Sequence, residues 1–206
     1  MRVQILTTGE ENFVWLLENT AKYRKEHDIR VSTQPYVVLG EYDIGISFMH
    51  QYRVLPEQVN SHTWLNFHPA PLPEYKGRNL CYHAIMNGEK EFGATLHYMD
   101  ENFDTGHIID VSRFGIEDSW TAENLSERTI KESKAMFYNF FPRIVSGQEF
   151  IPFANKGGTY YTKESIPEIF FLSEEQQNFV RAVTYKNFYP KVEIGGVTYK
   201  IVRDER

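Results

Sequence analysis

The sequence predicts an α/β fold: a Rossmann-like, mostly parallel sheet followed by a small C-terminal α+β hairpin unit. Three observations carry this. Short apolar strands alternate with helical stretches through the first 70 residues, the grammar of a parallel sheet. A long amphipathic run from Thr121 to Ser146 supplies a covering helix. After Gly147 the chain becomes turn-rich and ends in a hairpin pattern. At 206 residues, one domain with an appendage is expected, with residues 1–150 as the main unit and 151–206 as the appended one.

The elements follow in order. Val3 to Thr7 reads as a short buried strand, and Gly9 opens a helix from Glu11 to Glu26. Phe13, Leu16, Leu17 and Ala21 give that helix its apolar stripe. Ile29 to Ser32 is the second strand. Asp43 to Phe48 is the third, with Ile44, Ile46 and Phe48 alternating. A helical turn follows Pro56, and Thr63 to Phe67 is the next strand. Asn79 is placed to cap a helix from Leu80 to Met86, which stops at Asn87-Gly88. Phe92 to Met99 and His107 to Phe114 are strands around a turn-rich loop. Pro142 is expected to kink the last turn of the long helix. Gly157-Gly158 turns into a strand at Thr159 to Tyr161. Ser173-Glu174-Glu175-Gln176 is a capping box for a helix to Thr184, and Val192 to Tyr199 reads as the hairpin.

Composition narrows the function classes. The net charge of −6 argues against broad binding to nucleic acid or anionic membranes. Cys81 is the lone cysteine, compatible with a reducing compartment. The first residues enter a strand at once and show no signal-peptide pattern, and no apolar run approaches membrane length; a cytoplasmic location is expected. Asn124-Leu125-Ser126 is a formal glycosylation sequon with nothing else to support secretion. The seven histidines show no compact zinc spacing, so no metal is expected. Thr7-Thr8-Gly9-Glu10-Glu11 is not a dinucleotide fingerprint, since it carries acids where a pyrophosphate would sit.

The chemistry concentrates in two stretches. Asn66-Phe67-His68-Pro69 ends a strand, and Asp104-Thr105-Gly106 follows in a turn. Asn66 and His68 are two apart and share one side of an extended strand. An amide donor, a titratable ring and an acid suit attack on a carbonyl. Pro69, Pro71 and Pro73 make the connection after His68 rigid. In a parallel sheet, ligands gather at the C-terminal ends of strands, where both Phe48-Met49-His50-Gln51 and Asn66-Phe67-His68 fall. Lys76, Arg78 and Asn79 form a basic, polar cluster at a helix start, a ready anion site.

The run Asn66-Phe67-His68-Pro69-Ala70-Pro71-Leu72-Pro73-Glu74-Tyr75-Lys76-Gly77, then Asn87-Gly88, Gly93-Ala94-Thr95-Leu96-His97 and Asp104-Thr105-Gly106, resembles the folate-dependent formyltransferases. The resemblance covers residues 42–150. It implies the formyltransferase fold and N-formyltransferase activity with N10-formyltetrahydrofolate as co-substrate. It implies Asn66, His68 and Asp104 as catalytic residues. It implies a folate site from Phe48, Met49, His50, Gln51, Tyr52 and Val54 on one wall, and Tyr98, Asp100 and Asp104 on the other.

Among the branches of that family, the initiator-tRNA branch carries a further C-terminal barrel and a basic surface, and the purine branch has a glycine- and serine-rich phosphate loop that Thr8 to Asn12 departs from. The branch acting on nucleotide-linked sugars is the most similar. It implies a 3- or 4-amino dideoxy sugar, on thymidine diphosphate, destined for surface glycan such as lipopolysaccharide O-antigen. Lys76, Arg78 and Asn79 would then meet the diphosphate, and Tyr160 or Tyr161 the base, with Phe188 and Tyr189 as further aromatics nearby. A homodimer is expected. Relatives spend more residues before the Asn66 motif, so Ser32 to Glu41 stands in for a longer strand-helix excursion. Formylation of a purine precursor, a non-catalytic folate or nucleotide-sugar module, and a metal-dependent hydrolase remain as alternatives.

Overall fold

Alternation of apolar residues builds the central sheet. The computed structural model describes residues 1–35, 40–162, 172–183, 190–194 and 196–202. In chain order the main unit comprises β1 (Arg2–Thr7), α1 (Glu10–Thr20) running into a 3-10 turn (Ala21–Lys25), β2 (Asp28–Ser32), β3 (Ile44–Phe48), α2 (Pro56–Ser61), β4 (Thr63–His68), β5 (Tyr75–Gly77), α3 (Leu80–Met86), β6 (Glu91–Tyr98), β7 (Ile108–Gly115) and α4 (Ala122–Val145). Then come β8 (Thr159–Tyr161), α5 (Glu174–Val183), β9 (Lys191–Ile194) and β10 (Val197–Lys200).

The six-stranded sheet runs β2-β1-β3-β4-β6-β7. Strands β2, β1, β3 and β4 are parallel neighbours, whereas β6 pairs antiparallel with both β4 and β7. The sheet is thus mostly parallel, as expected. From β1 the chain crosses to β2 on one side and then to β3 on the other. This is the switch point where open α/β sheets hold ligands. The described residues between β2 and β3 contain no helix.

The main core lies between the sheet and helices α1 and α4. Val3, Ile5, Ile46, Phe48, Leu65, Phe67 and Leu96 meet Leu16, Met136, Phe137, Phe140, Phe141 and Ile144. Phe137 is its centre, with ring centroids 5.5 Å from Trp15, 5.3 Å from Phe48, 5.3 Å from Phe67 and 4.8 Å from Phe141. Leu6, Tyr42, Val54 and Trp64 cluster separately. Because strand side chains alternate, Leu65 and Phe67 face the helices, and Trp64, Asn66 and His68 face the other way. The core therefore fixes the direction of both candidate catalytic side chains on β4.

Several local expectations meet their physical reasons here. Thr121 caps α4, with the Asn124 amide N–H donating to Thr121 Oγ1 at 3.3 Å and Thr121 N–H to Asn124 Oδ1 at 3.0 Å; the sequon asparagine is a capping residue. Pro142 lies in the last turn, and α4 ends three residues later at Val145. Ser173 and Gln176 form the expected capping box, and β9 pairs antiparallel with β10. Asn79 occupies the position before α3 in the left-handed conformation, φ 58°, and its side chain makes no capping bond. That corrects the capping expectation: a residue at positive φ is not set up to bond the next amides from its side chain.

One pairing was not foreseen. β5 and β8 pair in parallel, Lys76 opposite Tyr160, and an isolated bridge joins Ile108 to Phe153. Residues 153–161 are thus hydrogen-bonded into the main unit, although they lie beyond residue 150. Two glycines permit the close approach. A Cβ at Gly77 would lie 2.0 Å from Tyr161 O, and one at Gly158, φ 78°, would lie 1.5 Å from Pro73 O.

Candidate active site

The site grows from the end of β4. His68 Nε2–H donates to Tyr75 O at 2.8 Å, so the other ring nitrogen, Nδ1, is the one turned toward the reacting side. It lies 3.3 Å from Asp104 Oδ1. Asp104 Oδ2 accepts from Gly77 N–H at 2.9 Å. The proline connection holding Tyr75 in place is pinned by Thr95, whose Oγ1 accepts from Leu72 N–H at 2.9 Å and donates to Ala70 O at 2.8 Å.

Asn66 sits directly opposite His97 in the β4–β6 register. Facing residues of an antiparallel pair share a side of the sheet, and Asn66 Nδ2 lies 3.1 Å from His97 Nε2. His97 Nδ1 lies 2.7 Å from Tyr98 O, so Nδ1 carries the proton and Nε2 is left to accept from Asn66. Burial pushes the His97 ring down to about 4, against the opposing pull of Asp104, whose Oδ1 is 3.9 Å away. The neutral ring therefore orients the Asn66 amide and, among the described residues, leaves one N–H of Asn66 uncommitted. The His68 and His97 side chains are 4% and 1% exposed and that of Asp104 12%, while Asn66 is half-buried. The constellation meets solvent through the amide and the carboxylate.

Three non-glycine residues among those described have positive φ: Met49 at 51°, Asn79 at 58° and Asp104 at 56°. All three belong to the candidate site, where strained backbone tends to concentrate. Met49 turns the chain out of β3 at the switch point. His50 follows, its Nδ1 3.2 Å from Thr7 O at the end of β1, and burial lowers its pKa. Its Nε2 is buried with no hydrogen-bond partner among the described residues. Gln51 N–H donates to Thr8 Oγ1 at 3.1 Å, and Tyr52 is exposed. Arg53 joins the two loops by donating to Glu101 O at 2.8 Å. Asp100 closes the second loop on itself by accepting from Asn102 N–H and from Thr105 Oγ1. Tyr98 is half-buried, and burial raises its pKa.

Some expected ligand side chains are turned elsewhere. Phe48 and Val54 are buried in the core, since both fall on inward positions; only their backbone is left to meet a ligand. Lys76 is also buried, and its Nζ donates to Gly157 O at 2.9 Å. Its place opposite Tyr160 in the β5–β8 pair carries it under the glycine turn and away from open solvent. Arg78 is exposed and donates to Gln51 O at 2.9 Å, beside the His50 loop. Tyr161 uses its ring in a stack, 4.0 Å from His83 and 5.5 Å from Tyr75. Tyr160 is exposed. Phe188 and Tyr189 lie outside the described residues. Among the described residues no group of three His, Cys, Asp or Glu is placed to hold a metal ion.

Sequence reasoning assigned no role to His97, Thr95 or the backbone of Tyr75 and Gly77. A histidine at the end of an apolar strand gives no local signal; its register opposite Asn66 does. Backbone groups give none at all.

Comparison with known proteins identifies the family. The formyl transferase family profile matches residues 41–140. The chain is 33% identical over 176 residues to a GDP-perosamine N-formyltransferase from Brucella melitensis, covering 78% of this chain and 67% of that one. It is similar in fold, TM-score 0.69 at 22% identity, to the formyltransferase PseJ from Anoxybacillus kamchatkensis, solved with UDP-4,6-dideoxy-4-formamido-L-AltNAc and tetrahydrofolate, covering 87% of this chain and 91% of that one. A second similar fold, TM-score 0.67 at 22% identity over 81% of this chain and 72% of the other, is the N-formyltransferase from Helicobacter canadensis in complex with folinic acid and dTDP-3-aminofucose. The match to the Brucella protein, over two thirds of that relative, places the chain in the formyltransferase family, as an N-formyltransferase enzyme.

Proposed function

We propose that this enzyme transfers the formyl group of N10-formyltetrahydrofolate to the amino group of a nucleotide-linked amino sugar. The observation that carries the reading is the Asn66 amide, oriented by His97 with one N–H to spare, beside His68 Nδ1 and Asp104. The loops at 49–55 and 98–104, tied by Arg53, form the two walls for the folate. The names of the similar proteins support the substrate class. They carry GDP, UDP and dTDP, so the base is the variable part, and a 3- or 4-amino dideoxy sugar on dTDP is one arm of the test. Among the described residues, with Lys76 turned onto Gly157, the exposed Arg78 is a cation that can meet a diphosphate and the exposed Tyr160 a ring that can meet a base.

The chemistry follows from the site. The amine nitrogen attacks the formyl carbon, and charge grows on the formyl oxygen. Asn66 donates its spare N–H to that oxygen. The bond from carbon to N10 then breaks, and N10 gains the proton that the amine loses. His68 Nδ1 and Asp104 are the groups placed to carry it. A homodimer acting in the cytoplasm on a precursor of surface glycan completes the proposal.

The test offers N10-formyltetrahydrofolate with a panel of GDP-, UDP- and dTDP-linked amino sugars and follows product by mass spectrometry. Formamide formation on a panel member is expected. Folinic acid at 100 times its dissociation constant should stabilise the fold by about 2.7 kcal/mol. No turnover on any sugar, with no folate-dependent stabilisation, overturns the reading.

A further inference from the structure

We infer that Asn155, from the stretch following the catalytic unit, is a positioning residue that holds Asp104 in its working geometry. Its Nδ2 donates to Asp104 O at 2.9 Å and to Gly106 O at 3.0 Å. An amide nitrogen has two N–H groups, and both close on the same turn. The inference rests on the proposed reaction for its activity readout and is independent of it in its structural one.

The turn needs such a hold. Asp104 has φ 56°, a left-handed backbone that persists in a non-glycine residue only where surrounding structure over-determines it. Gly106 is packed so closely that a Cβ there would lie 1.9 Å from Tyr98 O. With this backbone, the Asp104 carboxylate reaches both Gly77 N–H, at 2.9 Å, and His68 Nδ1, at 3.3 Å. Relaxation of Asp104 to negative φ would swing the carboxylate away from both.

Asn155 can act as a clamp because it is anchored on each side independently of the turn. Before it, Phe153 exchanges two backbone bonds with Ile108, at 3.0 and 2.8 Å. After it, Lys76 holds Gly157 O at 2.9 Å, and Thr159 N–H donates to Glu74 O at 3.0 Å. The β5–β8 pair follows. The same segment therefore touches the turn that carries Asp104 and the strand that carries Gly77. Asn155 Oδ1 is buried with no hydrogen-bond partner among the described residues, so the residue sits there for its donors.

The experiment compares N155L and N155S with wild type, in turnover and in amide exchange by NMR. Leucine keeps the bulk and loses both donors. Serine is small enough to fold if leucine does not, and its hydroxyl has only one proton for two carbonyls. In either variant kcat should fall by about 10- to 100-fold, the scale of a misplaced catalytic group, with both KM values within about twofold. Without any substrate, the Gly77 amide should exchange about tenfold faster once Asp104 releases it. Asn155 filling space alone would leave the Gly77 amide as protected as in wild type. That result, or unchanged kcat in a folded variant, overturns the inference. Absence of turnover in wild type would instead sink the substrate reading, and the Gly77 exchange would still judge Asn155.

Discussion

Acid should weaken this fold through His97, by an amount that follows from its burial. The unfolded ring takes a proton near 6.5, and the folded ring only near about 4. Between those values the unfolded chain binds more protons, so acid favours unfolding. Stability is fully present above 6.5, declines as pH falls toward about 4, and is flat below. Each pH unit of separation is worth about 1.4 kcal/mol, so the interval carries at most about 3–4 kcal/mol. The perturbation is His97→Gln, and the assay is denaturant unfolding at a series of pH values from 4.5 to 7.5. The variant will be less stable at every pH, because Asn66 and Tyr98 O lose a partner. The informative quantity is the slope. Between pH 4.5 and 6 the wild-type slope should exceed the variant's by about 1 kcal/mol per pH unit. His50 and His83, also lowered by burial, remain in both proteins and cancel. Parallel curves would show that His97 is not buried as a neutral ring, and the account of how Asn66 is oriented would fall with it.

Further outcomes are expected. Asn66→Ala, His68→Ala and Asp104→Ala should each lower turnover by about 10²-fold or more, and near-wild-type turnover in His68→Ala would refute the mechanism. Gly158→Ala should cost about 2–4 kcal/mol from backbone clash with Pro73 O and left-handed φ. Gly157→Ala, with φ 82° and nothing within 4 Å, should cost only about 1 kcal/mol; equal losses in urea unfolding would rule out the close approach. Arg78→Ala should raise KM for the nucleotide sugar several-fold and weaken folate binding by less, through the lost bond to Gln51 O, and steady-state kinetics with each substrate varied separates the two. Phe137→Ala should destabilise by about 3–5 kcal/mol while leaving KM for both substrates unchanged in the folded fraction.

Local order was legible in the residues, because periodicity and capping act over three or four positions. Alternation in Ile44, Ile46 and Phe48, the stripe of the 121–146 helix and the Ser173 box each imply their element from neighbours alone. The two-residue spacing of Asn66 and His68 put both on one face, and the Asp104 turn could be matched to them through the family resemblance. Tertiary structure alone decided what surrounds those three residues. His97 comes to Asn66 through strand register, 31 positions along the chain. The groups that bond His68 and Asp104 are the carbonyl of Tyr75 and the amide of Gly77, which any residue could supply and no composition marks. The direction of Lys76 was set by the pairing of two three-residue strands, β5 and β8, too short to announce a partner more than eighty residues away. Asn155, in the turn-rich stretch after Gly147, reaches the Asp104 turn only because that pairing and the Phe153 bridge fold it back. A side chain's residue type states what it can donate or accept; where the chain returns in space decides to whom.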